Sequence, residues 1–124
     1  MDFPKNLKYS DDHEWVRVEG DEAVVGITDF AQSELGDVVY VDLPSIGDWV
    51  KKGEAFGTIE AVKTVSDMLA PVSGEVIAVN ETLNDSPENL NKDPYESWII
   101  KIKMSDLTEL NDLMDADAYE KFVG

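Results

Sequence analysis

The chain contains no cysteine and a single histidine, His13. Disulfides, thiolate metal sites and a cysteine nucleophile are excluded, and so is any metal motif built on two histidines. A serine triad would rest on His13 alone, and no Gly-x-Ser-x-Gly elbow accompanies it. Neither a Walker loop nor a Gly-x-Gly-x-x-Gly fingerprint is present. Positive charge is scarce too: 10 Lys and Arg stand against 27 Asp and Glu, a net charge of −17. Such a surface repels phosphate backbones, which argues against nucleic-acid binding. No apolar run approaches the roughly 20 residues that a membrane span requires. The chain brings little chemistry of its own. That points to a carrier or binding module with no metal site and no catalytic residue.

What is present suffices for a folded core. With 124 residues and 43% hydrophobic side chains, one domain over 1–124 is expected. The start, Met1-Asp2-Phe3-Pro4-Lys5, has neither the apolar centre of a signal peptide nor an Arg-rich face. A cytoplasmic protein is the simplest expectation, with a trimmed organellar protein as the alternative. The acidic excess serves either solubility alone or transient docking onto basic patches of larger partners.

Short β-rich segments dominate the chain. His13–Glu19 alternates, Gly20-Asp21 supplies a turn, and Glu22–Ile27 reads as the returning strand. Thr28 is a helix N-cap, Asp29 suits the first turn, Ala31 and Leu35 share a face, and Gly36 ends the helix. Val38–Leu43 reads as a buried strand, Ile46–Val50 as another, and Gly74–Val79 and Ser97–Lys103 as two more. Residues 80–94, rich in Asn, Asp and Pro, read as a long surface loop with one helical turn near Leu90. At the C-terminus, Ser105 is expected to cap a helix bearing Leu107, Leu110 and Met114. Asp115 is expected to cap another, with Ala118, Tyr119 and Phe122 facing inward. Trp15, Trp49 and Trp98 are assigned to the core. The expected fold is mainly β, a flattened barrel or sandwich of two small sheets with short peripheral helices, including C-terminal ones. Pro44-x-x-Gly47-Asp48-x-Val50 recurs as Pro71-x-x-Gly74-Glu75-x-Ile77, a hint of two related halves.

Lys63 is the side chain of greatest interest. It lies in Gly57–Asp67 between two β-branched stretches, with Gly53 upstream and Pro71–Gly74 downstream breaking the pattern. That places it at a hairpin tip, accessible to a modifying enzyme. An alternative use, as a Schiff-base lysine, needs a desolvating pocket, and polar Thr64, Ser66 and Asp67 argue against one.

Glu60-Ala-Val-Lys63, with Gly47 before it and Gly74 after it, resembles the lipoyl-domain family, whose fold is a hybrid barrel of two sheets. The resemblance extends over nearly the whole chain to the H-protein family of the glycine cleavage system. It rests on His13-Glu14-Trp15-Val16, Gly26–Gln32, Ser66-Asp67, Pro71–Val76, Asp93-Pro94-Tyr95, Trp98 and the C-terminal segments. It implies a non-catalytic carrier with lipoic acid in amide linkage to Lys63. Glu60, Gly47 and Gly74 would then serve recognition by the lipoylating enzyme. The implied task is to accept an aminomethyl group at a pyridoxal-phosphate glycine decarboxylase and deliver it to a folate-dependent aminomethyltransferase. Dihydrolipoamide dehydrogenase would then reoxidise the arm. A monomer is expected. From the residues alone, Glu14 and Asp67 read as solvated acids; the resemblance places them near a groove that receives the loaded arm. His13 reads as a structural or surface residue. Val62-Lys63-Thr64 departs from the Asp-Lys-Ala of dehydrogenase lipoyl domains and from the Met-Lys-Met of biotin carriers. Glu34 falls where other polar residues occur in the family, so no contact is assigned to it. An alternative role is a relay scaffold handing lipoate to other lipoyl domains.

Overall fold

Nine short strands and four short helices follow from the turn chemistry and β-branched runs, and the computed structural model describes all of residues 1–124. The strands are β1 (Lys8–Tyr9), β2 (Glu14–Glu19), β3 (Glu22–Ile27), β4 (Val38–Asp42), β5 (Trp49–Val50), β6 (Ala55–Ala61), β7 (Val65–Leu69), β8 (Gly74–Val79) and β9 (Ile100–Met104). The helices are α1 (Asp29–Leu35), α2 (Thr82–Asp85), α3 (Asn89–Lys92) and α4 (Ala116–Val123), with a 3₁₀ segment at Leu107–Asp112. A six-stranded sheet, ordered β1-β2-β3-β9-β8-β5, packs with a three-stranded sheet, β4-β6-β7. All pairings are antiparallel. Both sheets are open, so the sandwich expectation holds and the barrel is not closed.

One core joins the sheets: Val16, Val25, Ile100 and Ile102 from the larger meet Val41, Ile59 and Met68 from the smaller. A second, aromatic cluster of Tyr9, Trp15, Val24 and Tyr119 anchors α4 against β1–β3. Trp15 lies flat over Gly26, where an added Cβ would sit 2.5 Å from its ring, and its indole N–H donates to the Pro94 carbonyl at 3.0 Å.

Several expectations need correction. Trp49 is 64% exposed, because β5 is only two residues long and turns Val50 inward instead. Trp15 is fully buried and Trp98 partly so. The Val38–Leu43 run is buried only at Val38 and Val41 within β4, since a register shift between Val38 and Tyr40 leaves Val39 and Tyr40 exposed. The helical turn expected near Leu90 is present as α3, but the 80–94 segment also contains a second turn, α2, and Leu83 and Leu90 enter the core instead of staying at the surface. Strand β9 covers Ile100–Met104, so Ser97, Trp98 and Ile99 lie outside it. Asp106, not Ser105, caps the 3₁₀ segment, accepting from the Thr108 N–H, and Leu107 is exposed. Asp115 does cap α4, but the buried residues are Ala116 and Tyr119, and Phe122 is 54% exposed.

Candidate functional site at the Lys63 hairpin

Strands β6 and β7 meet in a tight turn in which the Ala61 N–H donates to the Thr64 carbonyl at 2.8 Å. Lys63 is exposed at its tip, as the sequence predicts. The turn is not free. The Val62 N–H donates to the Asp37 carbonyl at 3.0 Å, tying the tip to the segment just after α1. Gly36, which ends α1, lies under the lysine stem: a Cβ there would sit 3.3 Å from Lys63 Cε. The helix terminator therefore also clears a track for the lysine side chain. Thr28 caps the other end of α1, its hydroxyl accepting from the Ala31 N–H at 3.1 Å.

Beside the hairpin lies a groove of about 150 Å³ between α1, the start of β2 and strand β7. His13, Glu14, Phe30, Glu34, Ser66 and Asp67 are among its lining residues. Glu14 and Asp67, 53 positions apart in sequence, are thus brought to one place. A larger cavity of about 400 Å³ opens beside Lys52, Asp112 and Phe122, but it shares no lining residue with the groove and includes none of the Lys63 turn.

Glu14 departs from the solvated acid that its residue type suggests. It is only 3% exposed. The Leu69 N–H donates to its Oε2 at 3.0 Å and the Ser10 hydroxyl to its Oε1 at 3.2 Å, so the side chain ties β2 to β7 across the two sheets. Burial, reinforced by the negative charge of Asp12, pushes its carboxyl up to about 8 against the pull of those two donors. Asp67 is exposed and matches the expectation for it. His13 joins an aromatic corner with Phe30, Tyr119 and Phe122. Glu60 faces outward beside the tip, paired across the sheet with Tyr40 and Val65. Gly74 opens β8 and Gly47 lies in the turn that leads into β5, where its N–H donates to the Val76 carbonyl at 2.8 Å. Both adopt positive φ, and a Cβ on Gly74 would run into the Lys103 carbonyl. The two echoed Pro-x-x-Gly segments therefore run side by side. The sequence assigned no groove role to Phe30, Glu34 or Ser66: Phe30 and Ser66 stood within the blocks of the resemblance, and Glu34 was left without a contact.

Comparison with known proteins shows the family of the chain. Residues 7–124 match the family described as glycine cleavage H-protein. The chain belongs to that family. The relatives include the glycine cleavage system H proteins of Bacteroides thetaiotaomicron and Brevibacillus brevis, each 56% identical over 99% of this chain and 98% of its own length. A crystal structure of a glycine cleavage system H protein from Mycobacterium marinum superposes with a TM-score of 0.87 at 37% identity, covering 95% of this chain and 96% of that one. Membership makes the chain a carrier component of the glycine cleavage system, working with its other components, and not one of its enzymes.

Proposed function

We propose that Lys63 bears lipoic acid in amide linkage and that the chain shuttles the aminomethyl group from the glycine decarboxylase to the folate-dependent aminomethyltransferase. The observation that carries the reading is the exposed lysine on a pinned hairpin, in a chain of this family. A free lysine amine is a charged ammonium near neutral pH, and amide formation removes that charge. The site suits such an attachment: the stem has its track over Gly36, and the tip is open to solvent. Once attached, the lipoyl group supplies the dithiolane that takes up and gives up the carried group. The chain's own part is presentation and shelter. The fixed turn sets where the arm begins, and the tether raises the effective concentration of the arm at each enzyme visited.

The groove supplies the shelter in this reading. Asp67 offers a carboxylate at its rim, suited to an incoming ammonium, and Glu14 a buried, proton-holding carboxyl at its floor, while Phe30, Ile59 and Met68 exclude water. Glu60 marks the hairpin for the lipoylating enzyme, and Gly47 and Gly74 support that recognition through backbone shape. Dihydrolipoamide dehydrogenase completes the circuit. The shuttle is read as a single-domain, cytoplasmic monomer. Intact mass spectrometry of protein produced beside a lipoylating enzyme tests the attachment. The expected result is one lipoyl amide, mapped to Lys63; modification at any other lysine, or none, refutes it.

A further inference from the structure

From the far end of the chain, Tyr119 reaches His13, one of the residues that line the groove. Its hydroxyl lies 2.8 Å from Thr28 Oγ1 and 2.9 Å from His13 Nδ1. Thr28 already accepts from the Ala31 N–H through the same oxygen. Tyr119 and Thr28 are both fully buried, so each hydroxyl hydrogen needs an acceptor within this group. Only one arrangement provides both. Thr28 donates to Tyr119, and Tyr119 donates to His13 Nδ1. If the ring donated through Nδ1 instead, one of the two buried hydroxyl hydrogens would have no partner. Burial pushes the tyrosine hydroxyl up to about 12, so it keeps its proton to donate.

The backbone is committed to the same corner. His13 holds φ at +68°, an uncommon conformation for a residue with a side chain, and its carbonyl accepts from the Thr28 N–H at 3.1 Å. Tyr119 in turn stacks on Tyr9 with ring centroids 4.7 Å apart and planes 7° apart. Helix α4, the cap of α1 and the histidine thus form one rigid unit at the groove.

We propose that Tyr119 is a positioning residue for the groove, acting with Thr28 to hold His13 as the neutral Nε2–H tautomer, so that the loaded arm meets a hydrogen-bond donor and no second cation. The inference rests on the reading that the arm enters this groove. Acids face the ring from two elements, Asp11 and Asp12 on its own turn and Glu34 on α1, and Glu14 and Asp67 line the same groove. All three that face the ring favour the imidazolium, yet burial outweighs them and holds the ring's midpoint below its ordinary value. The hydroxyl chain works in the same direction, because imidazolium would need Tyr119 and Thr28 to reverse their hydrogens.

A chain with one histidine makes the test direct. Two-dimensional ¹H–¹⁵N spectra of the unloaded protein, followed across pH, report the tautomer and the midpoint of His13 without ambiguity. The wild type is expected to show an unprotonated Nδ1 and a protonated Nε2. Tyr119→Phe keeps the stacked ring but removes the donor; it should mix the tautomers and raise the midpoint by about half to one pH unit, the size of one hydrogen bond. Thr28→Ser keeps the hydroxyl and should restore wild-type spectra. Should Tyr119→Phe fold poorly, Thr28→Val leaves the Tyr119 hydroxyl with Nδ1 as its remaining acceptor and should keep the Nε2–H tautomer; mixed tautomers in that variant overturn the proposal. In the loaded carrier, Tyr119→Phe should speed spontaneous formaldehyde release roughly two- to tenfold. An Nδ1–H tautomer in the wild type, or an unmoved midpoint in the variant, overturns the proposal. Equal release rates for Tyr119→Phe and wild type, with faster release in Asp67→Ala, also overturn it while sparing the groove. Equal rates in all three discard the groove itself.

Discussion

The hairpin beside the groove and the aromatic cluster behind His13 are built on opposite terms. In the hairpin, residues 62–67 are exposed throughout, and only the Ala61–Thr64 turn and the Asp37 tie hold them, while the strands below pair with β4 and enter the core. In the cluster, Tyr9, Trp15 and Tyr119 have no exposed surface at all, and Tyr119 alone touches Phe3, Tyr9, Thr28 and His13. The hairpin tip contributes almost nothing to the core and presents the one lysine that matters to the proposed chemistry. The second contributes heavily to the core and presents no reactive group. A carrier separates these duties because the attachment point must enter foreign active sites, whereas the wall that shelters the cargo must stay in place between visits.

The sharpest way to break the contrast is at the tip. Lys63→Arg keeps the positive charge but cannot form the amide, so it should abolish all glycine-cleavage support in a reconstituted system. Its thermal unfolding should stay within about 0.5 kcal/mol of wild type, as for other exposed substitutions. Residual activity in that variant would remove the carrier assignment from Lys63. The mirror experiment is Tyr119→Ala, which deletes a buried aromatic ring and two hydrogen bonds. A loss of about 3–5 kcal/mol is expected in chemical denaturation, with lipoylation of the surviving folded protein unaffected. A cost below 1 kcal/mol would mean that the aromatic corner is not the rigid side.

Glu14 sits between the two regions, and its effect depends on pH. Its folded-state midpoint, about 8, lies above the ordinary value of 4.5. The folded state therefore holds the proton more tightly than the unfolded chain does. The stability that this confers is complete below the unfolded midpoint and is lost progressively as pH rises toward 8. Glu14→Gln keeps the shape and hydrogen-bonding capacity without the ionisation. It should flatten that fall, and the variant should gain on wild type by a few kcal/mol between pH 5 and 9, on the order the linkage relation gives. Parallel pH–stability curves for the two proteins would show that the buried carboxyl does not titrate in this window. Glu14→Ala is the poorer probe, since it strands the Leu69 N–H in the interior. The smallest effect is expected at the rim: Asp67→Ala should leave the fold intact and shorten the life of the loaded form by about 1 kcal/mol, roughly fivefold, as befits an exposed contact. No change in formaldehyde release would detach Asp67 from the groove.

Local signals in the sequence carried far where the determinant was itself local. Thr28 and Gly36 bound α1, Asp115 caps α4, and the Lys63 hairpin forms where its flanking β-branched residues place it. Trp49 misled because an aromatic residue beside valine looks like core, and nothing nearby reveals that its strand has two residues. Helices α2 and α3 have one turn each, too short for an apolar period to show, so within residues 80–94 the turn near Leu90 was legible while α2 and the burial of Leu83 and Leu90 were not. The site divides the same way. Lys63, Glu14 and Asp67 were legible through family resemblance. The burial of Glu14 was not, because its partner Leu69 lies 55 residues away and only the packing of the two sheets brings them together. Tyr119 was legible as an inward residue of a C-terminal helix, but its reach to His13 spans 106 positions.

The larger sheet ends in β1 on one side and β5 on the other, and each of these strands is two residues long. A sheet margin with unpaired N–H and C=O groups is a template on which a foreign strand can add. Two-residue margins give such a strand almost nothing to ladder onto, and a net charge of −17 repels a second copy before contact. The consequence is colloidal: with the larger sheet closed to strand addition, association of copies at high concentration is left to the five-residue margins β4 and β7 and must work against the shared negative charge.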